Sequence, residues 1–523
     1  MTGHVDSAVH SIHPLKLVSP SRLDLVCKYL YFRELNSTSE PRSSHAAHLY
    51  QKHIAIRTGG VEPPDPFYNG PSAAPKQSVD DYERQAKMLL DSLRSHGFEP
   101  DAPVPYFADG TLGNGAHRVS AALALDMPIF ARLQEGRGTS WGFKWFVENG
   151  FTTDELQRLL YAYAHLKADR VAIFVCYSPA RQYWDSFVST IAKAFYLVGH
   201  VDIAVESELD MYEVVHDLYA TLEPLSSTGV INRKALLLAM AQPLSLRVVL
   251  AEWRGDGDDV YEIAADVKNI CRETARDVVA PESYLGVHAG SSQAETLNLA
   301  HVLLSANNLR QLRLRRSAGV RAEFLKWLAD CRDVCFRSAI ALDDICVVGS
   351  SPLEVIGVRP STDIDFTLKS NYRKARYGSG VTHLAPSLDI VTEGYHRHRD
   401  RPAICDDDLI DSPDYHFMFR GLKFANPEIV LEQKDVYRRD KDVRDIEMAT
   451  RLLATPHSSA FNPSFEFASR TETLLRELMD ENGVAVRPHR PVSPFSSRVG
   501  HYSRALARRV NAVRHALRHR RRT

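Results

Sequence analysis

The hydrophobic and polar positions of this chain alternate with two periods, one typical of strands and one typical of helices. Short apolar runs that predict buried strands occupy residues 104–107, 170–176, 246–250 and 345–348. Apolar residues spaced three and four apart predict amphipathic helices at residues 79–96, 210–222, 233–240, 266–277 and 322–339. Because both kinds of element occur along the whole chain, the pattern predicts an α/β (α+β) protein.

The length of 523 residues predicts several domains, because one hydrophobic core rarely extends beyond about 300 residues. Composition and pattern divide the chain into four segments. They are an N-terminal domain at 1–137, a middle α/β domain of unknown role at 138–318, a C-terminal domain at 319–480, and a linker with a basic tail at 481–523.

One stretch of the C-terminal domain, CVVGSSPLEVIGVRPSTDIDF, begins at Cys346 and carries the clearest chemistry. An apolar strand ends there at Gly349, and three residues typical of a helix start follow it. They are Ser351 as the N-cap, Pro352 at the first helical position and Glu354 as a capping-box carboxylate. Gly349 and Ser350 are therefore expected at a helix N-terminus, where free N–H groups favour an anion such as a triphosphate.

The same stretch ends on two aspartates that are separated by one apolar residue. In a strand, this alternation places Asp363 and Asp365 on one face of the sheet. A third aspartate, Asp389, lies in another apolar run at residues 387–391. Neighbouring carboxylates repel each other unless a cation lies between them, and their hard oxygen atoms suit Mg²⁺. The alternative is a solvated turn with surface aspartates.

The spacing of these residues resembles that of the nucleotidyltransferase superfamily, which has the DNA polymerase beta-like fold. The resemblance covers residues 343–453. It implies a nucleoside triphosphate substrate and two Mg²⁺ (or Mn²⁺) ions that activate the attacking oxygen. The implied catalytic residues and metal ligands are Asp363, Asp365 and Asp389. The implied nucleotide-binding residues are Gly349, Ser350 and Ser351.

A later segment, YHFMFRGLKF at residues 415–424, is rich in aromatic residues and predicts a strand or turn followed by a helix. The side chains of Arg420 and Lys423 are candidates for contact with a nucleotide phosphate or a phosphorylated acceptor. They are equally compatible with surface charges that flank an apolar core. We include Lys423 among the predicted nucleotide-binding residues.

The N-terminal domain contains another glycine-rich motif, between the predicted strand at 104–107 and an alanine-rich helix predicted at 117–125. The glycines of its GNG loop let backbone N–H groups approach an anion. His117 and Arg118 lie at the helix start, where their side chains are able to bind phosphate. A helix-capping loop with a surface histidine and arginine is the alternative.

This motif resembles the ParB/sulfiredoxin fold, in which Asp-Gly-x-His-Arg precedes an alanine-rich helix. That family includes DNA-segregation proteins with a nucleotide site, sulfiredoxins and small-molecule kinases. The implied nucleotide-binding residues are Asn114, Gly115, His117 and Arg118. Asn114 stands where the family has Asp, so a carboxylate that would hold Mg²⁺ or act as a base is lost. Glu34 is a candidate for the family's upstream acidic position.

The two motifs and the YHFMFRGLKF segment, in this order, resemble fused proteins of bacterial surface-polysaccharide gene clusters. The resemblance implies transfer of a nucleoside monophosphate from an NTP to a phosphorylated small molecule or sugar. It also implies an N-terminal kinase, using an NTP such as ATP, that makes the phosphorylated acceptor. Two alternatives stay open: a ParB-like nucleotide-dependent DNA-binding protein, and a non-catalytic scaffold with degenerate nucleotide sites.

The formal net charge of −1 hides an asymmetry between the body and the tail. Residues 498–523 contain nine arginines and no acidic residue, which leaves residues 1–497 with a net charge of −10. A body this acidic argues against DNA as a partner.

In the tail, apolar residues at helical spacing predict an amphipathic helix on an anionic membrane surface. They are Leu506, Val510, Val513 and Leu517. A disordered tail and contact with the acidic body are the alternatives.

The seven cysteines are scattered without zinc-type or disulfide-type spacing, which favours a reducing cytoplasm. The N-terminus lacks the apolar core of a signal peptide, and no apolar run reaches the length of about 18 residues typical of a membrane span. We therefore expect a cytoplasmic protein that contacts the inner membrane face peripherally through its tail.

Two further local patterns concern His288 and the acidic segment at residues 406–408. His288 precedes a predicted capping box and is a candidate ligand contact, although a histidine there is more often a loop residue. Three consecutive aspartates at residues 406–408 predict a solvated acidic loop, because consecutive side chains in a loop diverge.

Overall fold

The computed structural model describes residues 8–37, 44–61, 76–221, 229–255, 259–279, 282–312, 314, 320–372, 381–391 and 404–454. Within these ranges the chain is a mixed α and β protein with three β-sheets. The mixed class that the hydrophobic pattern predicts is therefore confirmed. The strand predicted at 104–107 has the same bounds in the structure, whereas the helix predicted to end at residue 339 ends at Arg337.

The N-terminal part contains a three-stranded sheet in the order β1-β3-β2. Its strands are β1 (Val9–Ile12), β2 (Val104–Phe107) and β3 (Ile129–Gln134). Its helices are α1 (Leu23–Ser37), α2 (His45–Thr58), α3 (Val79–His96) and α4 (Ala116–Ala124), with a 3-10 helix at Pro14–Leu17. Strand β3 is parallel to β2 and antiparallel to β1. Helix α4 connects the two parallel strands, so the loop before α4 follows the carboxyl end of β2.

The middle part contains an antiparallel four-stranded sheet in the order β5-β6-β4-β7. Its strands are β4 (Val171–Tyr177), β5 (Phe195–Ala204), β6 (Ser245–Trp253) and β7 (Val287–Ala289). Its helices are α5 (Phe143–Glu148), α6 (Thr153–Leu166), α7 (Trp184–Ala194), α8 (Glu208–Leu218), α9 (Gly229–Ala239), α10 (Val260–Thr274), α11 (Arg276–Val279), α12 (Gln293–Leu303) and α13 (Ala306–Leu312), with 3-10 helices at Ser178–Tyr183 and Ser283–Leu285. Every residue of β4 is buried, as expected for a strand with helices on both faces.

The C-terminal part contains a six-stranded sheet in the order β10-β11-β9-β8-β13-β12. Its strands are β8 (Ile345–Val348), β9 (Ile364–Leu368), β10 (Val381–Ala385), β11 (Leu388–Val391), β12 (His416–Phe419) and β13 (Leu422–Ala425). Strand β9 is antiparallel to β8 and parallel to β11, and β8 is parallel to β13. The YHFMFRGLKF segment forms the hairpin of β12 and β13, and a helix follows it from Pro427.

Helices cover both faces of the six-stranded sheet. They are α14 (Ala322–Arg337), α15 (Ser351–Val355), α16 (Ser370–Tyr372), α17 (Asp406–Asp411), α18 (Pro427–Tyr437) and α19 (Asp440–Ala454), with a 3-10 helix at Leu342–Asp344. On one face Phe324 of α14 belongs to the same buried cluster as Val347 and Phe366. On the other face Val348 shares a cluster with Ile429 of α18. Because both faces are covered, the side chains near the ends of the strands are the ones that reach solvent.

Hydrophobic contacts join the N-terminal and middle parts. The largest buried cluster includes Leu25 of α1, Phe146 of α5 and Phe174 of β4, so it is continuous across the boundary that we place at residue 137. The middle and C-terminal parts are joined by polar contacts. Arg158 of α6 donates two hydrogen bonds to the carboxylate of Asp414, at 2.5 and 2.8 Å.

Candidate active site

The three aspartates that the sequence predicts as metal ligands lie together at one end of the six-stranded sheet. Asp365 and Asp389 are direct partners in the parallel pairing of β9 with β11. Asp363 immediately precedes β9. One carboxylate oxygen of each of the three lies within 4.8 Å of the others. The strand pairing therefore assembles a tricarboxylate cluster from residues that are 26 positions apart in the chain.

Burial and mutual repulsion disfavour the ionised form of Asp365, the central carboxyl of the cluster. Burial, together with the neighbouring carboxylates of Asp363 and Asp389, raises the pKa of Asp365 to about 7. The ammonium groups of Lys441 and Lys434 partly oppose this shift. A divalent cation between the carboxylates would relieve the repulsion. Three carboxylate oxygens are a donor set that Mg²⁺ or Mn²⁺ prefers, so these residues fit such an ion.

The turn after β8 is built around the carboxylate of Asp365. Gly349 has a φ of +67°, and a Cβ atom at this position would lie 2.9 Å from the Cγ atom of Asp365. The serine hydroxyls that follow are buried and bind the loop before Asp363. The hydroxyls of Ser350 and Ser361 are 2.7 Å apart, and Ser351 donates to the backbone oxygen of Asp363 at 3.0 Å. The turn and the aspartate strand are therefore one connected unit.

The start of the helix after Gly349 differs from the prediction. Ser350, not Ser351, occupies the N-cap position, and Pro352 is the second residue of α15 rather than the first. Glu354 does not close a capping box, because it accepts hydrogen bonds from the backbone N–H of Ser361 and from the guanidinium of Arg321. Helix α15 has only five residues, so its dipole adds little to anion binding.

A pocket of about 130 Å³ opens beside Gly349. Its other lining residues come from the end of α18 and the turn that follows: Gln433, Lys434, Tyr437 and Arg439. The side chain of Gln433 is 4% exposed, and its Nε2 group has no hydrogen-bond partner among the described residues. An unpaired buried amide costs stability, and this one is free to donate to an acceptor atom in the pocket.

Ion pairs join the basic residues near this pocket to two carboxylates of α19. Lys434 contacts the carboxylates of Asp442 and Asp445, at 3.2 and 3.0 Å. Arg439 pairs with Asp442 and Arg359 pairs with Asp445, each at 2.6 Å. Of these three cations, Lys434 and Arg439 line the pocket. No sequence motif marks residues 427–437 as part of a site.

His383 is a further residue that the sequence analysis missed. Its Nδ1 atom lies 2.7 Å from Oδ1 of Asp389, across the antiparallel pair of β10 and β11. The His383 side chain is 79% exposed, whereas that of Asp389 is 18% exposed. A hydrogen bond from a histidine orients a ligating carboxylate. A histidine in a short strand of uneven pattern gives no sequence signal of this kind.

Lys423 and Arg420 lie away from the tricarboxylate cluster. The ammonium group of Lys423 is buried and donates to the backbone oxygens of Asp343 and Ile410, at 2.6 and 3.1 Å. Arg420 contacts Glu213 of α8 at 3.1 Å. Both side chains are occupied by contacts that stabilise the fold, and the pocket beside Gly349 does not include them.

The N-terminal motif lies at the start of α4. Gly115 is the N-cap residue and has a φ of 93°, and the side-chain oxygen of Asn114 accepts from the Gly115 N–H. His117 points toward the buried Tyr50, with its Nε2 atom 3.0 Å from the tyrosine hydroxyl. Arg118 donates to the backbone oxygen of Ala102. The four predicted residues are thus adjacent, and the guanidinium of Arg118 already has a protein partner.

Two other candidate residues, Glu34 and His288, and the acidic segment at 406–408 are placed as follows. Glu34 accepts a hydrogen bond from the hydroxyl of Ser44 at 2.5 Å. His288 is buried, with Nε2 2.7 Å from Oε1 of Glu295 in α12, so it is a core histidine rather than an exposed loop residue. The expectation of a solvated loop at 406–408 is wrong, because these residues begin α17 and Asp406 is buried.

A scan against protein-family models, a search of curated proteins and a search of solved structures each returned no match. Within the described residues, no helix combines the length and the apolar character needed to cross a membrane. The basic tail at 498–523 lies outside the described residues.

Proposed function

We propose that this chain is a metal-dependent nucleotidyltransferase that transfers a nucleoside monophosphate from an NTP to a phosphorylated small molecule or sugar. The C-terminal part would have the DNA polymerase beta-like fold, as the Gly-Ser and Asp-Ile-Asp motifs imply. One observation carries the proposal: Asp363, Asp365 and Asp389 converge beside a glycine whose position tolerates no side chain.

The residues of the site divide into a metal-binding and a phosphate-binding group. Asp363, Asp365 and Asp389 would hold the divalent ion, with His383 orienting Asp389. When bound, such an ion supplies Lewis acidity to the transferred phosphoryl group and charge stabilisation to the leaving group. The tight turn at Gly349 leaves space for phosphates directly beside the carboxylates.

The pocket next to Gly349 would receive the outer phosphates of the nucleotide. Arg439 and Lys434 supply positive charge there, and the unpaired Nε2 group of Gln433 would donate to a phosphate oxygen. This assignment replaces Lys423 in that role, because Lys423 is buried against Asp343 and Ile410. The role of the Ser350 and Ser351 side chains becomes one of holding the turn rather than of binding phosphate.

The N-terminal part is proposed as a ParB/sulfiredoxin-like domain that phosphorylates the acceptor. Asn114, Gly115, His117 and Arg118 lie together at the start of α4, which supports a shared role. Because Asn114 replaces an aspartate and Arg118 binds Ala102, nucleotide binding without phosphorylation is the main alternative for this domain. The proposed setting is the cytoplasm, in surface-polysaccharide biosynthesis, with the tail contacting the anionic inner membrane face.

A screen for pyrophosphate release tests the proposed function. The full-length protein would be incubated with each NTP, with Mg²⁺ or Mn²⁺, and with a panel of sugar phosphates and phosphorylated amino acids. Turnover that depends on the metal and on one acceptor supports the proposal. NTP binding without turnover supports a scaffold, and salt-sensitive DNA binding supports the ParB-like alternative.

A further inference from the structure

Two histidines and an aspartate converge where the middle part meets the C-terminal part. His165 lies in the last turn of α6, His301 in the last turn of α12, and Asp343 in the 3-10 helix before β8. The Nε2 atoms of the two histidines are 3.3 Å apart, and Nε2 of His301 is 2.6 Å from Oδ1 of Asp343. The three atoms lie within 4.8 Å of one another.

The hydrogen bonds around this cluster orient both imidazoles. Nδ1 of His165 donates to the backbone oxygen of Tyr161 at 2.9 Å, which leaves the lone pair on its Nε2 atom. Nδ1 of His301 lies 2.9 Å from the hydroxyl of Tyr161. That hydroxyl accepts as well as donates, so His301 is able to carry its proton on Nδ1 and present the Nε2 lone pair. Metal-binding histidines are typically held in this way.

The separation of the two nitrogens suits a tetrahedral ion. Ligands at the usual Zn–N distance are about 3.3 Å apart at a tetrahedral angle, and the Nε2 atoms of His165 and His301 are 3.3 Å apart. The Asp343 oxygen is closer, at hydrogen-bond distance, and must move outward by about 0.7 Å to act as the third ligand. The Asp343 side chain is 36% exposed, so it is not locked in place by packing on all sides.

We propose that His165, His301 and Asp343 form a second metal site, which binds a transition-metal ion such as Zn²⁺. Two imidazoles and one carboxylate suit Zn²⁺ better than Mg²⁺, whereas the three aspartates near Gly349 suit Mg²⁺. The two sites lie at opposite ends of β8, whose four residues span about 13 Å. The ion would link helices α6 and α12 to the strand that leads into the candidate active site.

The positive charge of Lys423 disfavours binding of this ion. Its ammonium group is 2.6 Å from the same Oδ1 atom of Asp343 and so competes for the carboxylate. Removing this positive charge should therefore tighten zinc binding by about tenfold or more, because Asp343 and the ion no longer face a competing cation. Lys423→Met keeps most of the apolar stem of the side chain and gives a variant that gains affinity, in contrast to the ligand variants, which lose it.

Zinc titration of the full-length chain tests the proposal. Zinc binding would be measured by competition with a chromophoric chelator. Excess Mg²⁺ would be present to occupy the proposed site at the three aspartates near Gly349. In a separate experiment, Co²⁺ would replace Zn²⁺ so that the visible absorption bands of a tetrahedral site can be recorded. We expect the wild type to bind one equivalent of Zn²⁺ per chain. Binding should be at least tenfold weaker in His165→Ala and in Asp343→Asn. It should be unchanged in the control His48→Ala, which alters an exposed histidine.

The ligand variants also control for folding. Circular dichroism would show whether His165→Ala folds, and Asp343→Asn, which keeps the volume of a partly exposed side chain, carries the test if it does not. Zn²⁺ should raise the melting temperature of the wild type but not that of either ligand variant. Absence of zinc binding in the wild type, or equal binding in the folded ligand variants, overturns the proposal.

Discussion

Gly349 and Asp365 lie so close that the hydrogen atom of a glycine is the largest group that fits between them. A Cβ atom at Gly349 would lie 2.9 Å from Cγ of Asp365, and the backbone there has a φ of +67°. The turn after β8 and the central carboxylate on β9 are therefore mutually constrained. Any ion held by this carboxylate lies directly beside the turn, which is the basis of the proposed active site.

Replacing Gly349 by alanine should abolish nucleotidyl transfer. The substitution strains a left-handed backbone and pushes the new methyl group against Asp365. Gly59→Ala is a matched control, because Gly59 has a φ of +63° and open space around it. Both variants should lose about 1 kcal/mol of unfolding free energy from backbone strain, whereas loss of pyrophosphate release should occur in Gly349→Ala alone. Full activity in Gly349→Ala would remove this turn from the site.

Asp365→Asn should lower pyrophosphate release by about 100-fold or more, since a metal ligand matters at least as much as the groups that orient it. The pKa of Asp365 is raised to about 7, so its ionisation destabilises the fold progressively as pH rises from about 4 to 7. Without metal at pH 8, the variant should therefore be more stable than the wild type, by about 1 to 3 kcal/mol.

Added Mg²⁺ should reverse that order of stability. It should raise the melting temperature of the wild type and leave Asp365→Asn unchanged, because the variant lacks the central ligand. Asp333→Asn removes an exposed carboxylate of α14 and serves as the charge-matched control. Equal Mg²⁺ stabilisation of the wild type and Asp365→Asn would show that the ion binds elsewhere.

Gln433→Met should separate stability from substrate binding. Loss of an unpaired buried amide should leave the unfolding free energy unchanged or raise it by about 1 kcal/mol. Loss of a donor to a charged phosphate should raise the KM for NTP by about tenfold. Gln311 is also buried with an unpaired atom, but it does not line the pocket, so Gln311→Met should keep the wild-type KM. An unchanged KM in Gln433→Met would exclude phosphate contact there.

The fold should lose stability in mild acid through its buried histidines. Burial lowers the pKa of His288 to about 4. Because the unfolded chain then binds more protons, stability is lost as pH falls from about 6.5 toward 4. His288 should contribute a loss of about 1.3 kcal/mol between pH 7.5 and 5.5. Urea unfolding at the two pH values should show a loss smaller by this amount in His288→Gln, while the exposed His48→Gln behaves as the wild type.

Deletion of residues 498–523 should release the protein from anionic vesicles. The nine arginines supply about 1 kcal/mol each when they reach such a surface, so binding should weaken as salt increases. Pyrophosphate release in solution should be the same with and without the tail. Flotation at low and high salt measures the binding, and a full-length protein that stays off the vesicles at low salt would favour contact of the tail with the acidic body.

The sequence alone was sufficient for features that depend on local periodicity. Alternation along a strand predicted that Asp363 and Asp365 share a face, and their carboxylates do lie together, although Asp363 immediately precedes β9. The tight turn at Gly349 and the mixed α/β class follow from equally local rules. Asp389 was located by its position in an apolar run, but its pairing opposite Asp365 depends on the order of strands in the sheet.

Only the tertiary structure decided which distant side chains meet. The sequence shows that Lys423 is charged but not which way its side chain points. The packing of β13 directs this side chain to Asp343 rather than to the tricarboxylate cluster. The pocket residue Gln433 and the pair of His165 with His301 became recognisable only when their helices packed side by side. Such contacts depend on how whole elements dock, because the free energy of burying their apolar faces, and not local backbone preference, fixes their relative positions.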